Sequence, residues 1–315
     1  MSEPDTSWLA ASARRVVVAL LFGVTLGGLG LSAMSVAERR AELRPLPRAV
    51  GGVRFYTPSG GGEWVAPTNP GHISGAFVLL IHGLDEPGDI WDDLAPALHE
   101  AGHAVARFEY PNDQAVADSG DELMSVLAAL GEAGVPWIDI VGHSMGGLVS
   151  RDALTRPGAD RSGWAPVRNL VMVGTPHLGS ALAPLRGVAE LRDRFQRYNE
   201  GDATLLESLD FASDGGGQAG RDLTPGSAFL DDLNRRPHPP GVRLVCVVGR
   251  WAPEWADGAR AVDALGDGVV AVESATLDGA EIIEVRGNHR GMLLSMPITG
   301  EATAVPVIVR TIGTP

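Results

Sequence analysis

The sequence predicts an α/β protein built on a mainly parallel sheet flanked by helices on both faces. Three observations carry this expectation. Short β-rich apolar runs recur from about residue 51, at 53–56, 77–81, 105–109, 137–141, 170–173, 242–248 and 282–285. Several are continuous rather than alternating, as in strands covered on both faces. Between them, apolar residues recur at helical spacing: Trp91, Leu94, Leu98 and Ala101, then Leu123, Val126, Leu127 and Leu130. The resulting strand–helix–strand order favours parallel pairing with right-handed crossovers.

Composition narrows the function. The chain has 315 residues, 44% hydrophobic and 20% charged, enough for a large core and too apolar for a disordered segment. Its formal net charge of −14 argues against nucleic acid as the main partner, since phosphate binding needs a positive field. All 25 Lys+Arg positions are arginine, so no lysine can act as a Schiff-base or general-base residue. The single Cys246 excludes an internal disulfide and lies within the apolar run VRLVCVV, where core packing is its expected role.

The N-terminus stands apart from this pattern. A short polar tail (1–15) precedes 22 consecutive uncharged positions at 16–37, flanked by Arg14 and Arg15 and by Glu38, Arg39 and Arg40. As a helix this run would extend roughly 33 Å, enough to cross a bilayer. A membrane anchor is the favoured reading. A secretory signal cut near Ala37 is the alternative, because Ser35-Val36-Ala37 offers small residues. The globular part is expected on the exported side, although Arg39, Arg40, Arg44 and Arg48 pull a positive-inside count the other way. Residues 38–50, with charges and two prolines, read as a linker to a domain over 51–315. Within that domain, about 178–240 interrupts the alternation with an amphipathic run (Leu185, Val188, Leu191, Phe195) and a glycine-rich stretch. An insertion there suits a cap or lid, or else an added surface helix.

The chemistry centres on Gly142-His143-Ser144-Met145-Gly146, a G-x-S-x-G pattern between an apolar strand and a helical run. A turn this sharp leaves no room for side chains at 142 and 146, and it lifts the serine hydroxyl onto a helix N-terminus. Attack on a carbonyl also needs two N–H donors for the oxyanion. The backbone N–H groups of Met145 and of Leu84, in the strand-end segment LIHGL, are the candidates. His82 reads as structural, and Asp85 and Glu86 as part of the following loop. A serine nucleophile needs a base and an orienting acid. Downstream lie His177, His238 and His289. His289 follows the last strand at the carboxyl end of the sheet and is the expected base, with His177 second. Asp267, between Gly266 and Gly268, is the expected acid, with Asp263 and Asp257 as rivals.

These segments resemble an α/β-hydrolase, and within that fold the bacterial lipases and esterases. The likeness rests on LIHGL (80–84), GHSMGGLVSR (142–151), GTPHLGS (174–180), DLTPGSAFLDDLN (222–234), GDGVV (266–270) and RGNHRGMLL (286–294). The resemblance implies Ser144 as nucleophile, Asp267 as acid, His289 as base, and Leu84 and Met145 as oxyanion donors. It implies hydrolysis of acyl-ester or lipid substrates through an acyl-enzyme with no cofactor. A structural Ca²⁺ occurs in that family, but no ligand cluster marks one in this sequence. The same parts also serve acyltransferases, thioesterases and amidases. A non-catalytic binding member is the remaining alternative. No protein partner is identifiable, and the expected membrane contact runs through residues 16–37.

Overall fold

A computed structural model describes residues 52–58, 62–66, 76–84, 86, 88–111, 113–180, 217–251, 263–295 and 300–313. Eight strands form one sheet: β1 (Val53–Thr57), β2 (Glu63–Val65), β3 (Phe77–Ile81), β4 (Ala104–Phe108), β5 (Ile138–His143), β6 (Val167–Val173), β7 (Arg243–Arg250) and β8 (Glu281–Arg286). Their spatial order is β2-β1-β4-β3-β5-β6-β7-β8. The pairs β3–β4, β3–β5, β5–β6, β6–β7 and β7–β8 are parallel, whereas β1 runs antiparallel to both β2 and β4. All seven expected strands form within a few residues of their predicted bounds. The short edge strand β2 was not expected, because its three residues are at most half-buried and follow a run of glycines.

The alternation of side chains along each strand divides the core into two layers. In β3, Phe77, Leu79 and Ile81 enter one layer, and Val78 and Leu80 the other. The first layer holds Ile140, Leu170, Met172 and Cys246. It is covered by Leu123, Leu127 and Leu130 of α2 (Val116–Glu132) and by Met145, Leu148 and Val149 of α3 (Met145–Thr155). The second layer holds Val141, Val171, Val173, Val245 and Val247. Trp91, Leu94 and Leu98 cover it from a 3-10 turn (Gly88–Trp91) and from α1 (Leu94–Glu100), and Ile308 and Ile312 from α6 (Val305–Ile312). Each fully buried aliphatic side chain contributes roughly 1.5–3 kcal/mol, so the sheet is sandwiched as its continuous apolar strands predict.

Caps for two helices come from the segment after residue 217. Helix α2 begins at Ala115, which cannot cap it, and Asp222 Oδ2 instead accepts from the Val116 N–H at 3.0 Å. Asp222 ends α4 (Gln218–Asp222). Helix α5 (Ala228–Arg235) is capped by Ser227, whose side chain accepts from the Leu230 N–H. Ala219, Leu223, Leu230 and Leu233 are buried in the first core layer. They lie in the described part of the expected 178–240 insertion, from 217 onward. Residues 181–216 lie outside the described residues. The 16–37 stretch lies outside them too, and among the described residues no helix is long and apolar enough to cross a membrane.

Candidate active site

Strand β5 ends at His143 and α3 starts at Met145, which leaves Ser144 alone on the turn. Ser144 has φ 51° and ψ −124°, and it is the one non-glycine residue with positive φ among the described residues. A serine is held in such a conformation only when its surroundings over-determine it. The closeness of the chain supplies the constraint. A Cβ at Gly146 would stand 2.1 Å from the Ile81 carbonyl oxygen and 2.6 Å from that of His82, so the first turn of α3 lies against the end of β3. The Ser144 N–H is tied to the Val173 carbonyl at 2.9 Å, at the end of β6.

Gly83 lies on the other side of the serine. A Cβ there would be 2.8 Å from Ser144 Cβ. The segment carrying Leu84 is thereby laid against Ser144, and Leu84 itself packs on the first core layer. Met145 is the first residue of α3, where an N–H has no partner within the helix. His82, the expected structural histidine, stacks on Tyr110 with ring centroids 4.4 Å apart and donates from Nδ1 to the Gly83 carbonyl at 2.8 Å.

His289 and Asp267 form the second half of the site. Asp267 sits in a tight turn between Gly266 (φ 52°) and Gly268 (φ 91°). Its Oδ1 accepts from the N–H groups of Val269 (2.9 Å) and Val270 (2.8 Å), and its Oδ2 from His289 Nδ1 at 2.7 Å. The main chains are joined as well, with the His289 N–H donating to the Asp267 carbonyl at 2.9 Å. Burial alone would lift the Asp267 carboxyl, but the charge and hydrogen bond of His289 outweigh it and hold it below the usual range. Burial alone would likewise depress His289. The charge and hydrogen bond of Asp267, with the charge of Glu86 behind them, raise it above an ordinary imidazole.

The structure brings this pair to the serine end of the sheet. The His289 ring packs 4.6 Å from the ring of His143, the residue before Ser144. The rival candidates are engaged elsewhere. His177 is buried, with Nδ1 3.0 Å from Arg151 Nη1 and Nε2 3.6 Å from Cys246 Sγ. Burial, then the Arg151 charge, push it well below the ordinary imidazole value, so it is a neutral member of a buried polar cluster. His238 is exposed and donates from Nε2 to the Asp278 carbonyl. Asp263 pairs with Arg250, and Asp257 lies outside the described residues.

One residue of the site escapes a reading of the sequence. Glu86, in LDEPGD, looks like a solvated loop acid, yet its side chain is only 6% exposed and lies 2.6 Å from His143 Nδ1. Its other oxygen accepts from the Gly83 N–H at 2.6 Å. Burial would raise its carboxyl, but the charge and hydrogen bond of His143, then the charge of His289 and the Gly83 N–H, bring it down to about 2. No pattern of residue types announces this, because only the fold folds the loop inward. Among the described residues, no three or more His, Cys, Asp or Glu side chains gather as a metal site would require.

Comparison with known proteins places this geometry. A family described as "Domain of unknown function (DUF7379)" matches residues 62–219, which span β2 to β6 and include the Ser144 turn. The chain belongs to this family. No curated protein matches it. Solved structures do. The mature lipase BlEst2 of Bacillus licheniformis is 20% identical with a TM-score of 0.54, over 75% of this chain and 91% of that one. The metagenomic carboxyl esterase MGS0156 is 19% identical with a TM-score of 0.54, over 76% and 75%. The Staphylococcus hyicus lipase is 13% identical with a TM-score of 0.50, over 76% and 94%. At such identities the likeness is one of fold: this DUF7379 member has the α/β-hydrolase fold.

Proposed function

We propose that the protein is a serine hydrolase of carboxylic esters, with Ser144 as nucleophile, His289 as base and Asp267 as its orienting acid. The observation that carries this reading is the strained Ser144 turn, set at the same end of the sheet as a buried His289–Asp267 pair. That BlEst2 and the Staphylococcus hyicus protein are lipases, and MGS0156 a carboxyl esterase, agrees with it. His289 takes the proton of the Ser144 hydroxyl as the oxygen attacks the ester carbonyl. The N–H groups of Met145 and Leu84 receive the oxyanion, each contributing about 10²–10³-fold. The imidazolium gives its proton to the departing alcohol, and His289 then draws a proton from water as it attacks the acyl-serine. Asp267 holds Nδ1–H throughout, which keeps Nε2 free as the base. No step calls for a cofactor. The substrate we assign is an acyl ester or lipid, presented at a membrane through residues 16–37.

The test is Ser144→Ala in the full chain. It should abolish p-nitrophenyl ester turnover and labelling by a fluorophosphonate while circular dichroism stays native. Turnover retained by the pure variant would end the reading.

A further inference from the structure

Three segments of the site converge on one buried carboxylate. Glu86 Oε2 accepts from the Gly83 N–H at 2.6 Å, in the loop that carries Leu84. Glu86 Oε1 lies 2.6 Å from Nδ1 of His143, the residue before Ser144. The other ring nitrogen, Nε2, is 3.0 Å from the carbonyl oxygen of His289. Both side chains are nearly inaccessible, His143 at 0% and Glu86 at 6% exposure.

The proton inventory of this chain is fixed by chemistry. A carbonyl oxygen only accepts, so His143 Nε2 must carry a hydrogen. If Nδ1 were bare, its lone pair would face a carboxylate oxygen at 2.6 Å with nothing between them, which is repulsive. A proton therefore lies between Nδ1 and the Glu86 carboxyl oxygen, which makes the two side chains one acid–base pair. The carboxyl oxygen lies off the axis of an aligned Nδ1–H bond, so the contact is short but bent.

A buried polar pair of this kind rarely outdoes apolar packing in stability, so its value here is in placement. We propose that the Glu86–His143 pair is a positioning device that locks the Gly83 loop, the Ser144 turn and the His289 main chain into one register. This rests on the triad reading above. The lock matters because Gly83 stands so close to Ser144 that the two segments have no slack. A displacement of about 1 Å among reacting groups can cost on the order of 10²-fold in rate.

The experiment compares wild type, Ser144→Ala, Glu86→Gln and the double variant Glu86→Gln/His143→Gln, all as full chains. Glu86→Gln keeps the volume and an acceptor for Gly83, and it removes the charge. It should lower kcat for p-nitrophenyl butyrate by roughly 10–100-fold with KM within about threefold. Because the pair acts as a unit, the double variant should lose no more kcat than Glu86→Gln alone. Should Glu86→Gln fail to fold, the double variant, which buries no lone charge, carries the kinetic test. A folded Glu86→Gln or double variant with kcat within about twofold of wild type overturns the proposal. Turnover by Ser144→Ala would instead defeat the triad reading itself.

Discussion

Asp267→Asn exchanges one atom in a carboxylate whose two oxygens have different duties. Oδ1 is held by two backbone donors, Val269 N–H at 2.9 Å and Val270 N–H at 2.8 Å. An asparagine must keep its carbonyl oxygen there. Rotating the amide would set an NH₂ against two N–H groups, at about 1–3 kcal/mol for each unsatisfied donor. The NH₂ therefore points where Oδ2 was, 2.7 Å from His289 Nδ1. That nitrogen must then accept, so the ring proton moves to Nε2 and the base toward Ser144 is lost. The cost is a wrong tautomer rather than a wrong shape, and such a change lowers kcat by about 10⁴. At 1.36 kcal/mol per tenfold this is about 5.4 kcal/mol of barrier. Initial rates on p-nitrophenyl butyrate measure it, with circular dichroism and a melting curve to show that the fold is kept. A natively folded variant that loses less than about tenfold would refute the orienting role of Asp267.

Further outcomes follow from the same geometry. His289 is raised above its ordinary value of 6.5 by Asp267 and Glu86, against burial and Arg290, and it must be neutral to act as a base. The acidic limb of kcat/KM should therefore rise with pH through a midpoint above 6.5, and a midpoint below it would contradict the assignment. Gly146→Ala would place a methyl 2.1 Å from the Ile81 carbonyl oxygen. It should destabilise the fold by about 1–3 kcal/mol, read as a lowered Tm, and an unchanged Tm would count against the close approach of α3 to β3. The Cys246 thiol is buried, and burial pushes it up to about 12. Iodoacetamide at pH 8 should leave it unmodified in the native protein and alkylate it in guanidinium, as mass spectrometry would show.

The sequence is most readable where one local rule governs a residue. The β3 run FVLLI is apolar throughout because both faces are covered, and its bounds match the expectation at both ends. The Ser144 turn is readable because steric closeness demands glycine at both 142 and 146. The Asp267 turn is readable because glycines supply the positive φ on each side. Strand β2 is not, since three half-exposed residues pair with β1 only through the register Phe55 to Val65 and need no pattern of their own. Glu86 and Asp222 are missed for another reason. Each is an acid in a polar stretch, and each owes its role to a group distant in the chain: His143 for one, the Val116 N–H for the other.

The two core layers have a consequence for how the protein wears out. The helix that starts after Ser144 is rooted in one layer through Met145, Leu148 and Val149. The loop that carries the imidazole is rooted in the other, through Met292 and Leu293. The sheet is a partition between them, so a repair made on one side cannot make good a loosening on the other. Reactive alignment is thus hostage to the weaker of two half-structures, and warming should silence the chemistry at a temperature where most of the secondary structure is still intact.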